Sequence, residues 1–355
     1  MSATFDRVDR FCKQFGITVP ILLAPMAGVP AASLSIAVAN AGGLGACGVL
    51  IMKPDAIAAW ASEFRAGSSG PFQLNTWIPD PAPVRDRVHE AKVREFLASW
   101  GPAVPEAADP PPYFEAQCDA ILAARPPIAS SIMGLFPPDF VATLKASGIK
   151  WFATATTVAE AKMAEAAGAD AIIAQGAEAG GHRGAFEAAS AQRQQVGLVS
   201  LVPAVVDAVR IPVIATGGIA DGRGVAAALA LGASAAQIGT GFLRCPEAKL
   251  HPAWADALSR TAPEDTVVSR VFSGRAGRAI TTKYVLAAIA DNAPTPAPYP
   301  IQRMLTTPMR EQASKEGDVE RMQVWAGQSA ALAAAMPAGE LVARVWSDAR
   351  ALLGR

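Results

Sequence analysis

The chain of 355 residues reads as an α/β protein: a TIM (β/α)8 barrel with a smaller, mostly helical second domain or cap. Three observations predict this. Short apolar runs alternate with helix-like segments over most of the length, as βα units around a parallel sheet do. About eight such runs can be counted, which is the barrel number. Several helix-like segments close on a glycine just past the last apolar position, as Gly42, Gly148, Gly168 and Gly232 do, which suits a left-handed C-cap. A doubly wound sheet is the main competing architecture.

The candidate strands are 21–26, 44–49, 72–77, 128–134, 151–156, 171–176, 213–217 and 235–241. They are continuous apolar runs, as expected of parallel strands covered on both faces. Helices are expected at 31–41, 54–65, 138–147, 158–167, 198–209 and 222–231. Two regions break the rhythm. Residues 78–127 hold a Pro-rich stretch at 102–112 and an amphipathic piece near 84–100, and read as an insertion after the third strand. Beyond Phe242 the βα pattern stops. Residues 312–353 look helical and rich in Ala, and the repeated prolines of 294–300 read as a linker. The expected division is a barrel over 1–252, carrying the insertion, and a mostly helical cap over 253–355.

Composition removes several function classes. Lys and Arg total 31 against 31 Asp and Glu, with no basic run, so nucleic-acid binding has no electrostatic support. No apolar stretch reaches the roughly 18 residues of a membrane span. The opening residues 1–10 mix charged and polar side chains without a signal-peptide core, so a cytoplasmic protein is expected. Cys12, Cys47, Cys118 and Cys245 lack paired metal spacing and read as small hydrophobes. With only His89, His182 and His251, no metal centre is expected. Composition leaves a homo-oligomer open.

Gly43, Gly45 and Gly48 satisfy G-x-G-x-x-G, but they follow a helix and run into a strand, the reverse of a dinucleotide fingerprint. The phosphate signal lies elsewhere. The seventh strand runs into Gly217-Gly218, and the eighth ends Gln237-Ile238-Gly239-Thr240-Gly241. These are the loops where many α/β barrels bind phosphate through backbone N–H groups, although ordinary strand-end turns would look alike. The most distinctive run is 175–184, QGAEAGGHRG, just past the sixth strand. It puts His182 between glycines at the catalytic face of a barrel. With an ordinary pKa of about 6.5, such a histidine serves as a base or, protonated, as partner to an anion. Glu178 either orients His182 or is a solvated loop carboxylate.

At these residues the chain resembles the nitronate monooxygenase family, closest to its bacterial class I members. Four segments carry the resemblance: 20–30 (PILLAPMAGVP), 42–48 (GGLGACG), 175–184 and 212–240 (PVIATGGIADGRGVAAALALGASAAQIGT). The shorter runs 73–77 (QLNTW) and 273–278 (SGRAGR) add to it. The resemblance implies non-covalent FMN, with the isoalloxazine near Ala24, Pro25, Met26 and Ala27. It implies hydrogen bonds to the flavin from Asn75 and Gln175. Gly180, Gly181, Gly217, Gly218, Gln237, Ile238, Gly239 and Thr240 would line the ribityl and phosphate groups, and His182 would face the substrate. Taken alone, Met26 reads as core, whereas Asn75 ending an apolar strand needs a polar partner if buried.

The implied reaction joins an alkyl nitronate, such as propionate 3-nitronate, with O2 to give a carbonyl compound and nitrite. His182 is expected as charge partner rather than base, because a preformed nitronate has no α-proton to lose. Arg275 and Arg278 either bind a substrate carboxylate or fix the cap by ion pairs. Ile132 and Met133 stand where many relatives carry a polar or aromatic residue, so the pocket is expected to be more apolar. Two other functions remain. One is an FMN-dependent enoyl-acyl-carrier-protein reductase using NAD(P)H, since such enzymes share the barrel and a similar EAGGH run. The other is a barrel that binds a phosphate ligand without redox chemistry.

Overall fold

The computed structural model describes residues 3–29, 31–104 and 113–354. Pro30 and most of the Pro-rich stretch at 102–112 lie outside the described residues. Eleven strands are present among them: β1 (Ile21–Leu23), β2 (Gly45–Gly48), β3 (Phe72–Trp77), β4 (Ile128–Ile132), β5 (Lys150–Ala155), β6 (Ala171–Gln175), β7 (Gly181–His182), β8 (Val213–Thr216), β9 (Ala235–Ile238), β10 (Thr266–Ser269) and β11 (Gly277–Ile280).

Eight of these form one parallel sheet in the order β1-β9-β8-β6-β5-β4-β3-β2. The ends meet. Leu22 bridges Leu44 in parallel, and Leu23 N donates to Leu44 O at 2.9 Å, so the sheet closes into a barrel. Every strand is short and buried, because each is covered by side chains inside and by helices outside. The register is what positions the site. Gln175 pairs with Thr216, and Thr216 with Gln237, so three polar side chains form one row at the strand ends. The helices Ala32–Asn40, Pro54–Gly67, Pro138–Ala146, Val158–Ala166, Leu198–Ala208 and Gly222–Ala230 match the sequence expectation within two residues. The glycine fingerprint at Gly43, Gly45 and Gly48 is a helix-to-strand turn running into β2, where a Cβ on Gly43 would come within 2.5 Å of Ile21 O.

The insertion divides between two places. Its helix Phe114–Ala124 packs on Pro54–Gly67 and β3 as an ordinary barrel-wall helix. Its helix Arg87–Leu97 instead sends Val93 and Leu97 into a second core with Phe272, Tyr284, Leu305 and Met309. That core belongs to the smaller body, which has helices Pro252–Arg260, Lys283–Ile289 and Ile301–Glu316. It also has a three-stranded antiparallel sheet, β10-β11-β7, that the sequence did not announce. These strands have two to four residues and no apolar alternation, so periodicity had nothing to register. The stretch 294–300 is not a linker between bodies. It connects two helices of the smaller body, with Ala297 buried in its core.

The run 312–353 is not one helix either. After Glu316 the chain is irregular until the helix Ala338–Leu352. That helix leaves the cap and packs on the barrel helices Gly222–Ala230 and Ala32–Asn40, with Leu341, Val342 and Val345 in the barrel core. A further helix, Ala3–Phe15, went unread although Phe5, Val8, Phe11, Cys12 and Phe15 follow the helical period and form its buried face; Phe15 packs tilted against Phe11 and edge-on to Phe152 near the start of β5, with centroids 4.8 Å apart in each case. Phe15→Ala is expected to leave an apolar void there and lower the unfolding free energy by about 3–5 kcal/mol, measured by urea denaturation followed by circular dichroism. A loss under about 1 kcal/mol would mean that this helix does not seal the barrel end.

Candidate active site

The C-terminal ends of the barrel strands and the smaller body enclose a cavity of about 350 Å³. Its floor is the segment from Ala24 to Ala27 leaving β1, together with Asn75, Gln175, Thr216 and Gln237 at other strand ends. One corner is made by Gly180-Gly181, Gly217-Gly218 and Gly239-Thr240. Thus every residue expected to hold a cofactor lines this cavity except Ile238. That side chain is turned into the barrel core, and Ile238 contributes its carbonyl to Ala24 N at 2.9 Å, holding the floor in place.

The glycine corner suits a phosphate. Gly217 and Gly218 have φ of +112° and +67°, which L side chains rarely adopt. A Cβ on Gly180 would come within 2.5 Å of Gly327 N, so the return of residues 326–327 past this loop requires glycine. Among the described residues, the backbone N–H groups of Gly217, Gly218, Gly239 and Thr240 donate to no protein acceptor. Four unpaired donors at one end of a cavity make an anion nest. The Thr240 hydroxyl is partly engaged, because its oxygen accepts from Gly327 N at 3.0 Å. These residues fit the phosphate end of FMN, and the apolar floor beside Met26 fits a flat ring.

The loop after β6 is held from within. Gln175 Oε1 accepts from Arg183 Nη1 at 3.1 Å and from Gly184 N at 2.8 Å, while its Nε2 donates to His182 O at 3.1 Å. One amide hydrogen of Gln175 is left for a ligand. Glu178 neither orients His182 nor stands in solvent: both its oxygens accept from Leu198 N, at 2.8 and 3.0 Å, at the start of helix Leu198–Ala208. Asn75 Nδ2 donates to Ser130 Oγ at 3.0 Å, and the side chain borders the cavity.

His182 lies between two indoles, with ring centroids 4.6 Å from Trp77 and 4.8 Å from Trp325. Its accessible face opens into the cavity. Its Nε2 is 2.7 Å from Ser273 Oγ, which is 3.1 Å from Arg275 O and 3.3 Å from Arg275 N. A hydroxyl has one hydrogen. If Ser273 gives it to Arg275 O, the oxygen accepts from Arg275 N–H and from His182 Nε2–H, and every contact is satisfied. The proton then sits on Nε2, leaving Nδ1 as the lone pair. Burial pushes the His182 pKa down to about 3, helped by the charges of Arg275, Arg303 and Arg310. That direction favours a neutral ring in the protein without ligand.

The positive field comes from arginines that the sequence reading passed over. Arg303 and Arg310 line the cavity from helix Ile301–Glu316. Their spacing of seven, two turns on one helix face, was the available signal. Arg275 and Arg278 do not border the cavity. Arg275 Nε pairs with Asp80 at 3.2 Å and its Nη2 donates to Ala185 O, whereas Arg278 donates to Ala177 O and Thr266 Oγ1. Both fasten the smaller body to the barrel. Of the pair expected to make the pocket apolar, Ile132 lines it, while Met133 is buried behind it with φ +69°. Among the described residues no cluster of His, Cys, Asp or Glu is placed to hold a metal ion, and no helix is long and apolar enough to cross a membrane.

Comparison with known proteins agrees with this geometry. The family model described as nitronate monooxygenase matches residues 9–348. A nitronate monooxygenase of Paraburkholderia phytofirmans is 40% identical over 342 residues, covering 93% of this chain and 92% of the relative. One from Pseudomonas aeruginosa is 36% identical over 355 residues, covering 96% and 99%. Among solved structures, the nitroalkane oxidase of Streptomyces ansochromogenes superposes with a TM-score of 0.86 at 35% identity, covering 95% of this chain and 98% of that one. FabK from Thermotoga maritima follows with 0.75 at 30% identity, covering 97% and 96%. A barrel closed in this order, the glycine corner and a family match over nearly the whole length lead to one assignment: the chain belongs to the nitronate monooxygenase family.

Proposed function

We propose that this chain binds FMN in the cavity and oxidises alkyl nitronates with O2 to a carbonyl compound and nitrite. The observation that carries the reading is His182, held between Trp77 and Trp325 and open to the cavity that Arg303 and Arg310 also line. FMN, when bound, supplies a two-electron acceptor for the substrate and a site at which O2 is reduced. The chain does the rest. The N–H groups of Gly217, Gly218, Gly239 and Thr240 are suited to bind the phosphate, and Ala24 to Ala27 to support the ring. Asn75 and the remaining amide hydrogen of Gln175 are placed to fix its polar edge.

The low proton affinity of His182 decides which form of substrate is preferred. A ring that resists protonation is a weak acceptor for the α-proton of a neutral nitroalkane, since base catalysis is most effective when the pKa lies near the working pH. An anion that arrives already deprotonated needs no such step, and the arginine field favours it. Trp77 and Trp325 fix the imidazole plane, and Ser273 fixes its tautomer. Ile132 beside the cavity and the FabK likeness favour a second reading, NAD(P)H-dependent enoyl-thioester reduction.

The deciding experiment is anaerobic mixing of the FMN-loaded protein with propionate 3-nitronate, followed by oxygen. Bleaching of the flavin, then recovery with nitrite release, is expected. A yellow protein that ignores the nitronate but is bleached by NADH and reoxidised by an enoyl thioester would replace this reading with the reductase. His182→Asn is expected to retain FMN and lower kcat/KM for the nitronate by up to about 10²-fold, the loss that a misplaced substrate shows. Near-full activity in that variant would remove His182 from the catalytic role. Because folding lowers the His182 pKa below about 6.5, the unfolded chain binds the extra proton first, and this contribution to stability is lost as pH falls from about 6.5 towards 3. In the protein without ligand, the His182 ring-proton NMR resonance is expected to show no titration between about pH 7 and pH 5. A midpoint near 6.5 would contradict the neutral assignment.

A further inference from the structure

A second chamber of about 560 Å³ adjoins the first. It lies between Gly28 and Val29 after β1, the segment Lys249–His251 and the helix Ile301–Glu316. The two chambers share Gly28, Val29, Trp254, Arg310 and Gln323, and the last three are the polar side chains of the partition between them.

None of these three side chains is hydrogen-bonded to an anion. Arg310 donates to Thr306 Oγ1, Thr307 Oγ1, Gln323 Oε1 and Arg303 O, at 2.8–3.1 Å. Every one of these acceptors is neutral, and no ion pair among the described residues includes Arg310. A guanidinium so enclosed ordinarily has a carboxylate or phosphate facing it. Trp254 Nε1 and Gln323 Nε2 are buried donors with no acceptor. The orientation of Gln323 is set, because turning the amide over would face its NH2 to Arg310 Nη1, so Nε2 is the group left over. One cation hydrogen-bonded only to neutral acceptors and two unpaired N–H donors, on one partition, call for an anionic acceptor.

The charge of the chamber narrows the choice. Lys249 and Arg310 face Glu311, a surplus of one positive charge among the lining residues. One carboxylate balances that surplus, whereas a phosphate dianion exceeds it. The phosphate of the cofactor already has its own nest at the glycine corner. Because the partition borders the chamber that holds His182, a ligand anchored here would extend towards the reacting site.

We propose that this partition is a distal subsite for the carboxylate of an elongated nitro acid, bound by Arg310 with Trp254 Nε1–H and Gln323 Nε2–H. The proposal rests on the nitronate reading for the reacting end of that substrate. It assigns the acid-binding role to Arg310 in place of Arg275 and Arg278, whose side chains lie outside both chambers.

The test compares the nitronates of 6-nitrohexanoate and 1-nitrohexane, matched in length, on the FMN-loaded enzyme. Arg310→Gln is expected to lower kcat/KM for the nitronate of the acid about tenfold or more beyond its effect on the hexane nitronate, which lacks the carboxylate, as loss of one charged hydrogen bond does. Trp254→Phe keeps the ring and removes the donor, and is expected to give the same preference at about threefold to tenfold. Calorimetric binding of unreactive hexanoate needs no turnover, and is expected for the parent enzyme and to be lost in Arg310→Gln. If no nitronate is turned over while hexanoate binds in this Arg310-dependent way, the subsite holds and the nitronate reading fails. Equal losses for the two nitronates, with and without the carboxylate, would overturn the subsite. So would variants that instead release FMN, because the donors would then belong to the cofactor.

Discussion

The site depends on one side chain turned back on its own strand. Gln175, the last residue of β6, spends its carboxamide on Arg183, Gly184 and His182, eight, nine and seven residues further on. That closes residues 175–184 into a tight return. The return brings Gly181 and His182 alongside Arg278 and Gly277, and so makes β7 part of the smaller body's sheet. A single amide at a barrel strand end thus joins the two bodies and aims the histidine between their tryptophans. Arg183 reinforces it with bonds to Gly176 O and Gln175 O, buried and far from solvent. Removing the Gln175 carboxamide would leave this buried guanidinium with backbone acceptors only, the costly way to break a buried polar network.

Two glutamates brace the same return from outside. Glu178 ties it to the first N–H of helix Leu198–Ala208, a charge-assisted bond worth about 2 kcal/mol. Glu160 accepts from Thr156 N, Thr157 N and Phe186 N, joining the loop after β5 to the chain just past His182. Both carboxylates meet helix or loop N–H groups, where negative charge is favoured. The loop that carries the proposed chemistry is therefore built as rigidly as the strands, and its glycines serve close approach rather than motion.

The barrel was legible because its signals are local. Apolar runs such as 171–176 and glycine stops such as Gly168 and Gly232 are set by each residue's own conformation, and the structure keeps them. The glycine corner was legible for the same reason, since Gly217-Gly218 and Gly239 sit at fixed offsets from strand ends. What the sequence hid is non-local. Arg303 lines the cavity while Arg275 pairs with Asp80, and nothing in their immediate neighbours distinguishes them. The low proton affinity of His182 comes first from its burial and then from charges 93 to 128 residues away in the chain, at Arg275, Arg303 and Arg310. The short strands β10 and β11 pair with each other over four residues, and β7 adds two more to the far edge of β11.

The helix Ala338–Leu352 occupies the barrel wall beside Ala32–Asn40, so the first and last thirds of the chain share one layer. A ribosome delivers these parts at opposite ends of translation. Until the late helix emerges, the outer faces of Gly222–Ala230 and Ala32–Asn40 have no cover, and the smaller body has already been made in between. Such pairings are slow to form, because a long loop must close before they contribute. The eight strands are complete by Ile238, yet the wall around them waits another hundred residues for its final piece. Barrel and cap consequently mature together, and the nascent chain has every reason to be held by a chaperone until they do.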